Sequence, residues 1–580
     1  NGGGIYLSQS SQVTTTFKKG EISGCTSQLG SAIMLTGSGA LVLMDSDVKD
    51  CISGGGTTDN SGGAIRTYGS VNASLYLTRV NFTGNKAKRN KNWDNTLAKD
   101  ANGGALFWNA RGRDTTKCVI DGCTFSGNSS EDNGGAIKSQ ATLVFRGAQT
   151  EITGNTAPVG AGLYIEGYQG GSGVSGERTI NYDLNQYMYI HDNIAPAYQY
   201  GGETIPGRGA GVHLYFGPEM TLEANSTINL NMVGARIENN HAGGRIQSED
   251  GIVSESASAG GLGGGIYFEN TSLEEKGYDF NILLNYGTVS DNSASQGAGI
   301  YVSKGSIGPE ETQEPQTSAR LQQDNAGSLI VRNNEAVSGG GGICVVDGSL
   351  NMPNGTITLN RVSGTGNGGG VYVENGNFTI GAGEVSSNAL ASGMGAGVYV
   401  TGSGELGNFT MRGGTINNNT NSSNNGGGVY VHGGNFNLES GSITANTSGS
   451  NGGGVYINGG NFTLNSEDGS ITGNSATNGG GVFLNNGNFS LVTGTISGNT
   501  TTGNGAGVYL TGEDCVYVLT NGTISQNTAS NGYGGGVYLE NGSFILAEEL
   551  TDQGSITQNR AATGGGVFIS AGGDVTMNGG

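Results

Sequence analysis

The sequence predicts an all-β chain, a right-handed parallel β-helix or solenoid of about 18 turns with three short strands per turn. Three observations predict it. Glycine supplies 113 of 580 residues while proline supplies only 7. A Gly-Gly-(Gly/Ala)-aliphatic motif recurs 18 times, its first aliphatic running from Ile5 to Val567 at spacings of 26 to 54 residues. Short apolar/polar alternations follow each copy, the period-2 mark of half-buried strands.

The first strand of a turn is the run after the glycines, as in Gly453-Gly-Val-Tyr-Ile, Gly480-Gly-Val-Phe-Leu and Gly535-Gly-Val-Tyr-Leu. The second is Asn377-Phe-Thr-Ile, Asn408-Phe-Thr-Met, Asn461-Phe-Thr-Leu or Asn488-Phe-Ser-Leu. The third is Gly414-Thr-Ile, Gly469-Ser-Ile-Thr-Gly-Asn474 or Gly494-Thr-Ile-Ser-Gly-Asn499. Glycine and asparagine between the runs supply tight or left-handed turns. A single turn cannot bury its apolar residues; stacked turns can. In one turn Val455, Ile457, Phe462, Leu464 and Ile471 should point inward, with Tyr456 and Thr463 outward. Asn85, Asn128, Asn155, Asn292, Asn388, Asn474, Asn499, Asn527 and Asn559 close the third strand in one register. Stacked there, they form an expected amide ladder that satisfies the turn backbone.

Composition excludes several classes. Collagen needs glycine at every third position and abundant proline. Glycine in helix interiors costs about 1 kcal/mol each, which argues against a helical protein. A net charge of −21 disfavours nucleic acid as a partner. No apolar run approaches 18 residues, so no membrane insertion is expected within this segment. Both ends, Asn1-Gly-Gly-Gly and Asn578-Gly-Gly, fall inside the repeat and read as a segment of a longer protein.

The pattern Gly62-Gly-Ala-Ile, Phe82-Thr-Gly-Asn85, Gly103-Gly-Ala-Leu, Phe125-Ser-Gly-Asn128 and Gly134-Gly-Ala-Ile resembles the repeat of the chlamydial polymorphic outer-membrane proteins. The later Gly-Gly-Gly-Val-Tyr turns resemble β-helix repeats of large bacterial surface proteins. This resemblance implies a secreted or cell-surface, adhesin-like passenger region. It implies little about activity, because the motifs are the structural repeat itself.

Regularity divides the chain into two plain turns over 1–60, insertion-bearing turns over 61–337 and regular turns over 338–580. Insertions follow the first strand at 108–117, 166–178, 216–226 and 303–327, and the third at 86–102, 194–208 and 241–262. Insertions at one register should lie side by side as a raised surface, and loops on a rigid scaffold are where binding concentrates. The candidate binding residues there are Trp93, Trp108, Tyr168, Tyr187, Tyr189, His191, Tyr198 and Tyr200; the bland alternative is that they pack the loops onto the turns.

Cys25 and Cys51 replace the ladder asparagine in adjacent turns, which predicts a Cys25–Cys51 disulfide, with a stacked thiol pair as the alternative. No Cys/His grouping has metal-ligand spacing, so no metal or cofactor is expected. Sequons such as Asn72, Asn81, Asn128, Asn377, Asn408, Asn461 and Asn488 read as by-products of the repeat. Outward strand positions carry Thr, Ser, Tyr and Asn rather than the paired carboxylates that polysaccharide hydrolysis needs. The expectation is a non-enzymatic extracellular β-helix, an adhesin stalk or filament element. Its partners would be a protein or glycan on a host or neighbouring cell, and other copies end to end. The competing class is a polysaccharide-binding or polysaccharide-degrading β-helix, with Asp192 and His191 as its best candidates.

Overall fold

The computed structural model describes residues 3–9, 13–54, 61–67, 73–91, 97–99, 101–109, 117–167, 179–200, 202–217, 227–248, 251–256, 258–270, 279–304, 328–402, 406–547 and 554–578. The chain divides into two compact units: Asn1–Gly305 with Pro309–Leu329, and Ser306–Gly308 with Ile330–Gly580. Each is a right-handed parallel β-helix.

In the second unit the first strands stack in strict register. Val371 pairs with Val398, which pairs with Val429, Val455, Val482, Val508, Val537 and Val567 in succession. The second strands stack Phe378, Phe409, Phe436, Phe462, Phe489, Tyr517 and Phe544. Their rings lie flat on one another at 4.6–4.9 Å. In the first unit Leu163, Val212, Ile266 and Ile300 form the equivalent column.

The second and third strands are less separate than their sequences imply. Asn435–Thr444, Asn461–Thr472 and Asn488–Ser497 each run through both as one strand with a shift in register. A two-residue strand follows the ladder asparagine, as in Thr447–Ser448 and Thr500–Thr501, and builds a separate sheet.

Val455, Ile457, Phe462, Leu464 and Ile471 are at most 1% exposed, as expected for the core. Tyr456 corrects the reading: it leaves the core but is only 6% exposed. It belongs to a second aromatic column, 4.8 Å from Tyr430 and 5.0 Å from Phe483. The glycine triplet explains how the column fits. Gly452 has φ +67°, and a Cβ there would stand 2.7 Å from the Cβ of Tyr456. A Cβ on Gly454 would stand 2.7 Å from the Gly481 carbonyl oxygen and 3.0 Å from the Asn474 amide nitrogen.

The asparagines stack in both units. In the first, Asn85, Asn128, Asn155, Asn193, Asn240 and Asn292 link side chain to side chain at 2.9–3.0 Å. In the second the series is Asn334, Asn360, Asn388, Asn419, Asn446, Asn474, Asn499, Asn527 and Asn559, again at 2.9–3.0 Å. Each carboxamide oxygen also accepts the backbone N–H of the preceding ladder residue, as Asn474 does from Asn446 at 2.9 Å. Each Nδ2 also reaches a strand carbonyl one turn back, as Asn474 reaches Ile443 at 2.9 Å.

The Cys25–Cys51 disulfide is not formed; all six cysteines are free thiols. The pair stands in register, since Thr26 pairs with Ile52 and the Ile52 N–H donates to the Cys25 carbonyl at 2.8 Å. Cys51 occupies the ladder slot: its N–H donates to Asn85 Oδ1 at 3.1 Å, and its Sγ lies 3.3 Å from the Lys49 carbonyl oxygen. Cys25 and Cys51 thus hold adjacent turns at this register as separate thiols. Burial pushes the Cys51 thiol up to about 11, so it stays protonated at neutral pH.

Replacing Gly454 by valine should overpack the triplet against Gly481 and Asn474. The expected loss is about 3 kcal/mol, read as a lower denaturant midpoint, whereas Thr463→Val on the partly exposed face should change it by under about 0.5 kcal/mol.

Candidate binding surface

The third strands expose two straight rows of side chains. In the second unit the residues flanking each buried Ile or Val stack as Thr356, Glu384, Thr415, Ser442, Ser470, Thr495 and Thr523 on one side. The other side stacks Thr358, Ser386, Asn417, Thr444, Thr472, Ser497 and Ser525. The default content of this face is hydroxyl.

In the first unit the same rows change chemistry over three turns. Thr150–Thr153, Met188–His191 and Thr227–Glu238 align Glu151 with Tyr189 and Arg236, and Thr153 with His191 and Glu238. Ile152, Ile190 and Ile237 between them are fully buried, which turns these side chains outward. His191 lies between two carboxylates: Nε2 is 2.8 Å from Glu151 Oε1, and Nδ1 is 2.6 Å from Asp192 Oδ2. Tyr189 stacks on His191 at 4.1 Å, and the Arg236 guanidinium stands 4.3 Å from the Tyr189 ring centre. Arg236 in turn donates to Glu238 at 2.8 Å. Burial, then the Glu238 charge, raises the Tyr189 hydroxyl above its ordinary range, so it is a hydrogen-bonding group and not a base. Asp192 occupies the left-handed corner before the ladder at φ 55° and accepts from Asn239 of the next turn. Contacts this exposed contribute at most about 1 kcal/mol each.

Insertions after the third strand rise beside this patch. After Asn193, Tyr198–Tyr200 pairs antiparallel with Glu203–Ile205. After Asn240, Arg245–Gln247 pairs antiparallel with Val253–Glu255. The two hairpins stack in parallel, with Ile194 opposite His241 and Tyr198 opposite Gln247. A third hairpin joins Asn90–Lys91 to Leu97–Lys99. Gln247 donates to the Glu131 carbonyl at 2.7 Å, and Arg89 bonds Glu131 and Asp132. Insertions of one register thus lie side by side, as their spacing implies.

The candidate residues among the described ones lie in more than one place. Tyr189 and His191 meet in the patch. Tyr187 precedes them on the chain, its carbonyl accepting the Thr150 N–H at 2.7 Å. Tyr198 sits on the first hairpin, and Tyr200 closes that hairpin opposite Glu203. Trp108 corrects the reading: it is 0% exposed and belongs to the core. It ends the strand Leu106–Trp108 at the inward position that Ile457 holds in a regular turn. Trp93 and Tyr168 lie outside the described residues. The reading missed Glu151, Arg236 and Glu238; counting back from each Ile-x-x-Asn would have aligned them with Tyr189 and His191.

Among the described residues, no group of three His, Cys, Asp or Glu side chains could hold a metal ion. None of their helices is long and apolar enough to cross a membrane. No protein-family model, curated protein or solved structure matches this chain.

The chain has two tryptophans, so a Trp93→Phe variant isolates Trp108. Its emission should be blue-shifted and resistant to acrylamide; a red-shifted, readily quenched spectrum would place Trp108 back on the surface.

Proposed function

We propose that this chain is a non-enzymatic extracellular or cell-surface β-helix, an adhesin stalk or filament element. It holds the patch around Tyr189 and the neighbouring hairpins out to a protein or glycan. The observation that supports this reading is local. Rows made mostly of Thr and Ser in one unit carry Glu151, Tyr189, His191, Arg236 and Glu238 over three adjacent turns of the other. Tyr and Arg are the side chains that dominate binding hot spots. Their polar groups are held by one another on an open strand face. The resemblance of the early turns to the chlamydial surface-protein repeat is in keeping with surface display.

A second reading rests on His191, whose two nitrogens each face a carboxylate. That arrangement favours acid/base chemistry on an acidic polysaccharide. Turnover of such a polymer by the wild-type chain, lost in Asp192→Asn, would replace the binding reading.

Threonine is what this row carries in the turns flanking the patch, at Thr124 and Thr288, so Tyr189→Thr with Arg236→Thr should fold normally. Binding to glycan arrays and to intact cells should fall about tenfold or more, with an unchanged melting temperature. Unchanged binding would remove the patch from the proposal.

A further inference from the structure

The aromatic column of the first unit contains a histidine. His213 pairs in register with Tyr164 on one side and Tyr267 on the other. Its ring lies 5.1 Å from the Tyr164 ring and 4.7 Å from the Tyr267 ring. It is 2% exposed, and among the described residues neither ring nitrogen has a hydrogen-bond partner.

The charged groups facing it come from each packed element. Leu163–Glu166 brings Tyr164 and Glu166, and Glu166 is occupied by Lys138 at 2.9 Å. Ile266–Asn270 brings Tyr267 and Glu269, whose Oε2 is 4.0 Å from His213 Nε2. Gly207–Arg208, the last strand of insertion 194–208, brings Arg208. Arg208 holds that same Glu269 oxygen at 3.1 Å and lies over the Tyr267 ring at 5.8 Å. The next residue, Gly209, is so close that a Cβ would stand 2.8 Å from the His213 Cβ. Arg208, at the root of the insertion, and His213 therefore share one carboxylate, while the Arg208 backbone is held by the Pro158 carbonyl and by pairing with Leu262.

We propose that His213 is a pH-sensitive latch for insertion 194–208. When the imidazole takes up a proton, the new cation competes with Arg208 for Glu269 and repels the guanidinium. The root of the insertion then lifts from the column. This rests on the reading of the insertion as part of the binding surface, since it makes that surface conditional on pH.

The direction follows from linkage. Burial, and then the Arg208 charge, hold the His213 imidazole well below its ordinary value. The unfolded chain has an ordinary histidine pKa near about 6.5, so the closed arrangement is fully stable above that pH and weakens as pH falls below it.

Hydrogen–deuterium exchange of the full chain, corrected for intrinsic rate, tests this at pH 7.5 and 5.0. Amides of 194–208 should exchange faster at pH 5.0, by up to about thirtyfold, the ceiling set by an open-state histidine pKa of about 6.5. The strand Val212–Phe216 should stay protected at both values. His213→Tyr installs the side chain of both column neighbours and should make the insertion indifferent to pH. Arg208→Gln should give fast exchange at both values, because the Glu269 tie is already gone. Equal protection of the wild type at both pH values would overturn the latch. So would a pH response that persists in either variant. Should His213→Tyr fail to fold, the Arg208→Gln arm decides alone. No ligand enters the experiment, so its failure leaves the binding proposal standing.

Discussion

The buried asparagine is the contact on which each turn depends. A parallel β-helix must reverse direction at the end of every third strand, and the reversal buries peptide groups that no strand neighbour can satisfy. A buried donor or acceptor left unpaired costs about 1–3 kcal/mol. One carboxamide meets several of these needs together. Asn474 accepts the backbone N–H of Asn446 and the side-chain N–H of Asn446, and donates to the carbonyl of Ile443 and to Asn499 Oδ1. Because each oxygen serves the turn before it, the satisfaction of one turn depends on its neighbour.

That contact dictates the residues around it. The position before each ladder asparagine must be left-handed: it is glycine at Gly84, Gly127, Gly154, Gly473 and Gly498, and another residue at Asp192, Asn239, Leu359, Ala445, Gln526 and Gln558. The apolar residue three positions before the asparagine must point inward, as Ile471 and Ile496 do. The last residue of the triplet must be small where it meets the amide, as Gly454 is at Asn474 and as Ala64, Ala105 and Ala136 are in early turns. Given these demands, only the outward positions are free to vary. Most are Thr, Ser or Asn, so the cluster around Tyr189 reads as an addition to the scaffold rather than a requirement of it.

Much of the architecture was legible because the repeat writes its constraints into spacing. The core of a regular turn and nine of the fifteen ladder asparagines described above follow from it. Asn193, Asn240, Asn334, Asn360, Asn419 and Asn446 extend the expected ladder, and the residue before each is left-handed without being glycine, as it is before Asn292, Asn388, Asn527 and Asn559. The needed conformation is left-handed; glycine is its easiest occupant but not its sole one. Tyr456 reads as outward-pointing because alternation distinguishes two faces and not three layers. Trp108 reads as a loop aromatic because its strand adjoins an insertion. His213 carried no sequence signal at all: its meaning comes from Arg208 and Glu269, brought together by strands far apart in the chain.

The most direct test of the ladder as the coupling between turns is a double-mutant cycle in the second unit. Asn446→Ala and Asn474→Ala remove adjacent rungs, while Asn446→Ala and Asn527→Ala remove distant ones. The adjacent pair should be less destabilising than the sum of its singles by about 1 kcal/mol or more, since the second loss falls on an amide already unpaired. The distant pair should add within about 0.5 kcal/mol. Additivity in both pairs would mean that each asparagine acts alone, and the account built on the ladder would be wrong.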